Sequence, residues 1–467
     1  MNIKHAKEED YRALFADCYD VKIEKRGGIK VIHCEGMADT KQLNENILPR
    51  IPEMIQNNEL KQLDENVNLS QIEQFVFSGN VIILIFHENG IRVYEADISN
   101  PPKRNPEEST TEISIRGPRD GFTEEVITNV ALIRKRLKTN SLQYEHFIVG
   151  KRGNVRLALL YIKDIINPEF VVEARRRISQ IDVDTVIGCA QLEEYLSDSS
   201  DSIFPLVDSI GRPDFAAESL LRGRFVVISD GSPMVIIGPS DIMEQLKSPE
   251  DVHSSYYYTI FQRILRLLGL VTAMFLPGFY ISLTCFNIDQ IPFPLLATIA
   301  AARTGIPYSA PIENLLILGL FELFREAGIR LPKPVGQTVT VVGGLIIGDA
   351  AIRSGLASPS LLMVTAVTAV ASFTLVNQSL TGSVSIIRIY MLVMASFLGI
   401  YGFFIGLISL AGYTSTLTSF GVSYWSPIAE LNFRSSVLAV FNRPFKSKNK
   451  RPDALHPTDS TSQGESQ

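Results

Sequence analysis

A few charged residues of this chain stand inside strongly apolar sequence, and they carry its most suggestive chemistry. Glu313, Glu322, Arg325, Glu326 and Arg330 fall on one stretch whose middle, from Leu315 to Phe324, is otherwise apolar. Asp349 interrupts the run Val341-Val342-Gly343-Gly344-Leu345-Ile346-Ile347-Gly348. A charge at the centre of a bilayer costs about 2.5–3.5 kcal/mol or more, so such a residue needs a partner or a watery path. Glu322 therefore reads two ways. Repeated in a ring of copies, it is a carboxylate that attracts cations. Alone, it pairs with Arg325 or Arg330 at helical spacing and fixes a helix end. Asp349 has the same choice, between meeting an ion and capping the following loop through Arg353. Gly343, Gly344 and Gly348 let helix backbones approach closely. Glu313 suits the first turn of its helix, and Arg388 is long enough to snorkel to an interface.

Other chemistry is not signalled. The chain has no HExxH, GxSxG or P-loop, and VGGLIIGDA lacks the Lys-Ser/Thr ending of a phosphate loop. His5, His33, His87, His146, His253 and His456 are scattered without ligand spacing. Cys18, Cys34, Cys189 and Cys285 form no CxxC pair and read as reduced thiols. No metal, no cofactor and no enzymatic activity is expected. A formal net charge of −6 without a long basic stripe argues against nucleic acid as a partner.

What must position the charges is a bilayer. Apolar stretches between Ile264 and Ala411 are long enough to cross one. The first span is Ile264 to Phe286, flanked by Arg263 and Arg266, with Pro277-Gly278 expected to bend or unwind it. Ile291 to Ala302 holds Pro292, Pro294 and then about eight apolar residues. That is too short to span and suggests a re-entrant or interfacial element. Pro311 to Ala327 reads as a helix stopped by Gly328. Thr338–Ile352 and Leu361–Val376 are shorter spans joined by a turn at Arg353–Pro359, with Asn377 and Gln378 ending the second. Ile386 to Ala411 is the last span. About four crossings result, an all-α multi-pass domain over 256–435. The tail, 436–467, is basic and then polar. Its Arg443, Lys446, Lys448, Lys450 and Arg451 favour the cytoplasmic side, and the amino terminus lacks the apolar core of a secretion signal, so both termini are expected inside.

Ahead of the spans the sequence reads as α/β and duplicated. In 29–55 and again in 156–181, a strand, an acidic or Asn-Pro turn and a helix-period stretch follow in order. Later in each half a glycine, Gly79 or Gly223, precedes a buried-type strand. Two similar subdomains are expected, 1–115 and 116–255. They meet at Arg116-Gly117-Pro118-Arg119-Asp120-Gly121-Phe122, after which Thr123 can cap a helix from Glu124 to Lys138, acidic at its start and basic at its end. PPKRNPEEST reads as a solvated loop and EYLSDSSDS as a flexible acidic surface segment.

These residues also resemble a known family, the A subunits of GerA-type spore germinant receptors. The resemblance is carried by Arg116 to Glu124 with Asn129-Val130-Ala131-Leu132-Ile133-Arg134, by Leu276-Pro277-Gly278-Phe279-Tyr280 and Ile291-Pro292, by Phe324-Arg325-Glu326-Ala327-Gly328-Ile329-Arg330-Leu331-Pro332, and by Val342 to Ala351. Residues 1–100 agree more loosely, and the end from Pro444 is individual. The resemblance implies an inner-membrane complex of the bacterial endospore with B and C subunits, in which B resembles amino-acid transporters and binds the nutrient. The A subunit would place two α/β subdomains in the cytoplasm and self-associate in lipid into a ring. Nutrient binding would open that ring to monovalent cations and start germination. A paralogue tied to dipicolinate release shares these motifs. A secondary transporter and a membrane-anchored scaffold are the other readings.

Overall fold

The computed structural model describes residues 8–26, 28–57, 59–63, 67–87, 90–100, 114–330, 348–426, 428 and 449–462. Two five-stranded sheets precede the long helices, and their strand orders are the same. In the first lobe β1 (Val21–Arg26) and β2 (Ile29–Cys34) form a hairpin, β3 is Lys61–Gln62, and β4 (Asn80–His87) and β5 (Gly90–Asp97) form a second hairpin. The order is β1-β2-β4-β5-β3. In the second lobe β6 (Leu142–Val149), β7 (Val155–Ile162), β8 (Asp208–Ile210), β9 (Phe225–Ser229) and β10 (Val235–Gly238) give β6-β7-β9-β10-β8. The central strands are apolar on both faces because helices or loops cover both. Ile82 and Leu84 enter one core and Val81 and Ile83 the other, as do Val226 and Ile228 against Phe225 and Val227.

The repeat reaches the capping residues. Asp39 accepts from the N–H of Lys41, and Asn167 from that of Glu169, each at a helix start. Gly79 (φ +98°) and Gly223 (φ +93°) end matching helices, Leu69–Phe77 and Pro213–Leu221, in the left-handed conformation. A Cβ on Gly79 would also lie 2.5 Å from the Met37 carbonyl oxygen.

Local expectations fail where distant partners intervene. The helix expected over 124–138 is Val126–Arg134, and Thr123 does not cap it. Asp230 Oδ1 receives the Val126 N–H instead, at 3.2 Å. Arg134 does not sit at a helix end facing water. It is 0% exposed and grips Asp20 of the other lobe through Nε (2.9 Å) and Nη2 (3.0 Å), with Phe77 beneath its guanidinium at 4.1 Å. The helix expected after β2 is broken into Thr40–Gln42, a π-turn at Leu43–Ile47 and Ile51–Gln56, the last carrying Pro52 in its first turn. The acidic segment near 198 is anchored, since Asp198 meets Arg177 (2.7 Å) and the N–H of Phe420 (3.0 Å). PPKRNPEEST lies outside the described residues.

The helical half begins with Tyr256–Phe286, longer than the expected span and uninterrupted at Pro277. Gly278 there presses on the backbone of Met391, where a Cβ would stand 2.9 Å from its oxygen. Phe293–Ala302 is short, as expected. Ala310–Arg330 runs through Gly328 instead of stopping before it. Pro359–Ser372 follows, capped by Ser358, and Asn377 does not end a helix but caps the next one, Gln378–Thr416. Of the Thr338–Ile352 span, 338–347 lie outside the described residues.

Gln378–Thr416 is not one rod, and this overturns the reading of Ile386–Ala411 as a single span. Gly399 has φ 60°, ψ −136°, and Tyr390 OH lies 2.6 Å from Ser409 Oγ. A straight helix would separate these positions by about 28 Å. The chain reverses at Gly399 into a helical hairpin. Its two ends rest on the second lobe: Asn377 Nδ2 donates to Asp208 (2.6 Å), Ser383 Oγ to the Ile203 carbonyl (2.5 Å), and Tyr413 OH accepts from the Ile203 N–H (2.9 Å). Its tip meets the far end of the first long helix, where a Cβ on Gly399 would fall 2.7 Å from Phe286 Cβ. The tail is not free either. Leu455 joins the second-lobe core and Thr458 N–H donates to the Ile165 carbonyl at 2.9 Å.

Removing one partner of a buried ion pair typically costs about 3–5 kcal/mol. Arg134→Ala should therefore lower the thermal midpoint of the purified chain in detergent, whereas Arg134→Met with Asp20→Leu should recover much of the loss. Circular dichroism on heating checks this.

Candidate functional site

The strap Arg116–Phe122 and the base of the first long helix converge on one charged joint. Glu250 sits in a 3-10 turn, Pro249–Val252, just before that helix. Its carboxylate accepts from the Arg116 N–H (2.9 Å), from Ser114 Oγ (3.3 Å) and from Arg212 Nη1 (2.5 Å). Arg212 also holds Asp214 (2.6 Å), which contacts His253 Nε2 at 3.1 Å. Gly117 lies so close to Arg212 and His253 that any side chain there would collide with both. Phe122 plugs the second-lobe core, and its N–H donates to the Gly211 carbonyl (2.9 Å). Pro118 is exposed and Gly121 half-buried.

One residue beyond Glu250, Asp251 clamps the helix itself. Arg266 Nη2 reaches it at 2.7 Å and Arg263 Nε at 3.0 Å. Alongside, Glu244 is fully buried among Arg224 (3.2 Å), Arg222 (3.3 Å) and Lys247 (2.5 Å). Burial would raise the Glu244 pKa, but these cations outweigh it and hold it well below the usual range. Burial, with Arg222 adding to it, pushes the Lys247 ammonium down to about 8.

Inside the helices Glu322 has partners already. It pairs with Arg388 and with Arg325 (2.9 Å), and Arg325 and Arg388 both donate to Ser385 Oγ at 3.1 Å. Arg388 does not snorkel. It is 1% exposed and also donates to Ser372 Oγ at 3.2 Å. Toward the tip of the hairpin Glu313 is buried, accepting from the Ser358 N–H (2.5 Å) and hydroxyl (2.7 Å), with Arg303 at 3.7 Å. Its neighbour Asn314 is 0% exposed, and neither amide atom has a partner.

The sequence-singled residues thus divide. Glu322 and Arg325 come together, while Glu313 lies elsewhere on the same helix. The Glu326 backbone continues that helix, and the Arg330 side chain, Gly343 and Gly344 lie outside what is described. Asp349 pairs with Arg353 at 2.7 Å on an exposed face, the local alternative, and Gly348 approaches Leu362. Pro277 is buried against neighbouring helices; Pro292 and Pro294 open the short Phe293–Ala302 helix. Sequence reading missed Asp20, Arg212, Glu250 and Asp251, and took Arg388 for an interfacial snorkel. Only Arg266, a charge entering apolar sequence, hinted that a buried partner was required. Among the described residues no group of three or more His, Cys, Asp or Glu could hold a metal ion.

Residues 9–454 match the family described as "Bacillus/Clostridium GerA spore germination protein". The chain is 40% identical to spore germination protein XA of Bacillus anthracis, over 98% of this chain and 97% of that one. It is 35% identical to the uncharacterized membrane protein YfkQ of Bacillus subtilis (strain 168), over 82% and 75%. A crystal structure of the N-terminal domain of the A subunit of the Bacillus megaterium spore germinant receptor GerK3 covers 51% of this chain and 96% of its own, at 22% identity and a TM-score of 0.39. The chain belongs to the GerA family of spore germination proteins.

Burial would raise the Glu250 carboxyl, yet Arg212 and the Arg116 N–H prevail and bring it down to about 2. A depressed carboxyl stabilises above its unfolded value, near 4.3, and that contribution fades as pH falls toward 2. The strap should therefore loosen in acid, between about pH 4 and 2. Glu250→Gln should loosen it at neutral pH and flatten that acid dependence. Limited proteolysis near Arg119 across pH, with an acid-active protease, reads this out.

Proposed function

We propose that this chain is an A-type subunit of a spore nutrient germinant receptor, embedded in the membrane by several passes, self-associating into a ring, partnered by B and C subunits, and conducting cations when nutrient binds. Membership of the GerA family supports the germination role. Two helices, Tyr256–Phe286 and Gln378–Thr416, are long and apolar enough to cross a membrane, although the second is folded back at Gly399. Phe261, Leu268, Met363, Val370, Phe397 and Ile408 are exposed apolar groups on the helices, suited to lipid or to neighbouring copies. Tyr256, Tyr257 and Tyr258 stand where the first helix would enter the headgroup layer.

The observation that carries a transducing role is the joint. Asp251 ties the first long helix to the second lobe, and Asp208 and Asp198 tie down the hairpin and the residues after it. A helix held so cannot tilt without moving the lobe, and a partner favouring one arrangement shifts the other. In this reading both ends of the described chain are cytoplasmic, since the hairpin and residues 449–462 return to the second lobe. Current across a planar bilayer containing the assembled complex tests it. Cation current appearing only with nutrient supports the channel reading, and persistent silence in a complex that binds nutrient contradicts it.

The pairing of Glu322 with two arginines favours a second role for it, fixing helices instead of attracting ions. Glu322→Gln should weaken the chain, because Arg388 is left buried without a counter-charge. Glu322→Gln with Arg388→Met should restore assembly. If current returns as well, Glu322 is structural; if assembly returns without current, it belongs to the ion path.

A further inference from the structure

The internal repeat shows where the second lobe is incomplete. In the first lobe the chain leaving β5 folds back over the turn after β2. Ser99 bridges Ala38, the Asp39 N–H donates to the Ile98 carbonyl (3.0 Å), and the Asn100 N–H donates to the Met37 carbonyl (2.8 Å). Gly79, at the end of the neighbouring helix, lies against Ser99, whose Cα would stand 2.9 Å from a Cβ there. Residues 98–100 thus strap the turn to the helix end.

Counted from the matching caps Asp39 and Asn167, Met37 corresponds to Ile165, and Gly79 corresponds to Gly223 by the helices they end. Among the described residues the second lobe has no such strap following β10. The chain turns away instead: the Ser240 N–H donates to Ser419 Oγ (3.0 Å), and Asp241 caps the short helix Ile242–Gln245. A segment more than two hundred residues further on takes the place. The Thr458 N–H donates to the Ile165 carbonyl (2.9 Å), as Asn100 does to Met37, and Pro457 stands over Gly223 as Ser99 does over Gly79. Thr458 Oγ1 donates to the Ile166 carbonyl (3.0 Å), and Arg451 Nε to the Leu221 carbonyl (2.8 Å). Leu455 is 1% exposed and joins the core of this lobe.

The visiting segment is closed on itself. The Arg451 N–H donates to the Ser460 carbonyl (2.9 Å), the Ser462 N–H to the Asn449 carbonyl (3.0 Å), and Arg451 Nη1 meets Asp459 (2.7 Å). A loop shaped before it binds loses less freedom on binding. Its contacts with the lobe are Leu455 and hydrogen bonds to backbone carbonyls, which the same segment of any copy would make equally. More than twenty residues separate Ser426 from Asn449, a tether that reaches up to about 70 Å when extended.

We propose that the second lobe carries a binding groove for a looped peptide, one with an apolar side chain three residues ahead of a hydroxyl residue, and that the tail is its exchangeable occupant, accepted equally from a second copy of this chain. The site is independent of ion conduction and stands or falls separately from it.

Fluorescence anisotropy of a dye-labelled synthetic peptide of residues 449–462, titrated with the full-length chain in detergent, tests this. The chain carries Leu455→Asp, which empties its own groove. Saturable binding is expected. The unaltered chain should bind the peptide at least ~10-fold more weakly, since its own tail competes at the high effective concentration of a tethered segment. A Leu455→Asp peptide should lose at least ~10-fold by forgoing the buried side chain. A Thr458→Pro peptide, as apolar as the original but without the N–H, should lose about 5-fold, which separates groove binding from partition into the micelle. Thermal unfolding is followed for each chain; if Leu455→Asp does not fold, the milder Leu455→Ala takes its place. Absence of saturable binding to the emptied chain, equal affinity for the three peptides, or equal affinity for the two chains overturns the proposal.

Discussion

An arginine withdrawn from water must find a carboxylate, and three such pairs hold this molecule together. Arg134, Arg212 and Arg388 are among its largest fully buried side chains. Arg134 reaches back to Asp20 and joins the lobes, Arg212 reaches forward to Glu250 and fixes the strap, and Arg388 reaches Glu322 on another helix. Each pair links distant parts of the chain. Replacing one by apolar groups need not cost stability, but breaking one leaves a bare charge in a dry place. Such pairs therefore specify arrangement more than they add strength.

The same need for counter-charge orders the helical half. Arg263 and Arg266 enter the apolar layer at its near edge and are met there by Asp251. The hairpin comes home to the same surface, through Asn377 at one end and Tyr413 and Thr418 at the other. The far side holds the Gly399 tip, the Phe286 end of the first long helix and the buried Glu313–Ser358 contact. The second lobe is thus tied to several helices at once.

How much of this is legible in sequence depends on the range of the interaction. The repeat is legible because strand alternation, the caps at Asp39 and Asn167 and the helix-ending Gly79 and Gly223 are local signals. Apolar helices are legible from composition, and the Asp349–Arg353 pair from its spacing. The reversal at Gly399 is not, because Leu398-Gly399-Ile400 changes nothing in hydropathy and only the packing against Phe286 makes the turn visible. The true partners of Arg134, Arg266 and Glu322 escape for the same reason, since Asp20, Asp251 and Arg388 lie too far along the chain for periodicity to link them. Arg388 in particular looks like an interfacial snorkel until Glu322 is seen beside it.

The layout, with the joint on one side and the hairpin tip on the other, is open to one direct measurement. Single cysteines at Leu398 and at Thr416, in a chain whose own cysteines are replaced, can be exposed to a membrane-impermeant thiol reagent from each side of sealed vesicles. The account predicts labelling of position 398 from the side opposite the lobes and of position 416 from the lobe side. Labelling of 398 from the lobe side, with 416 reached only from the opposite side, would mean that the hairpin does not form in the membrane and would contradict it.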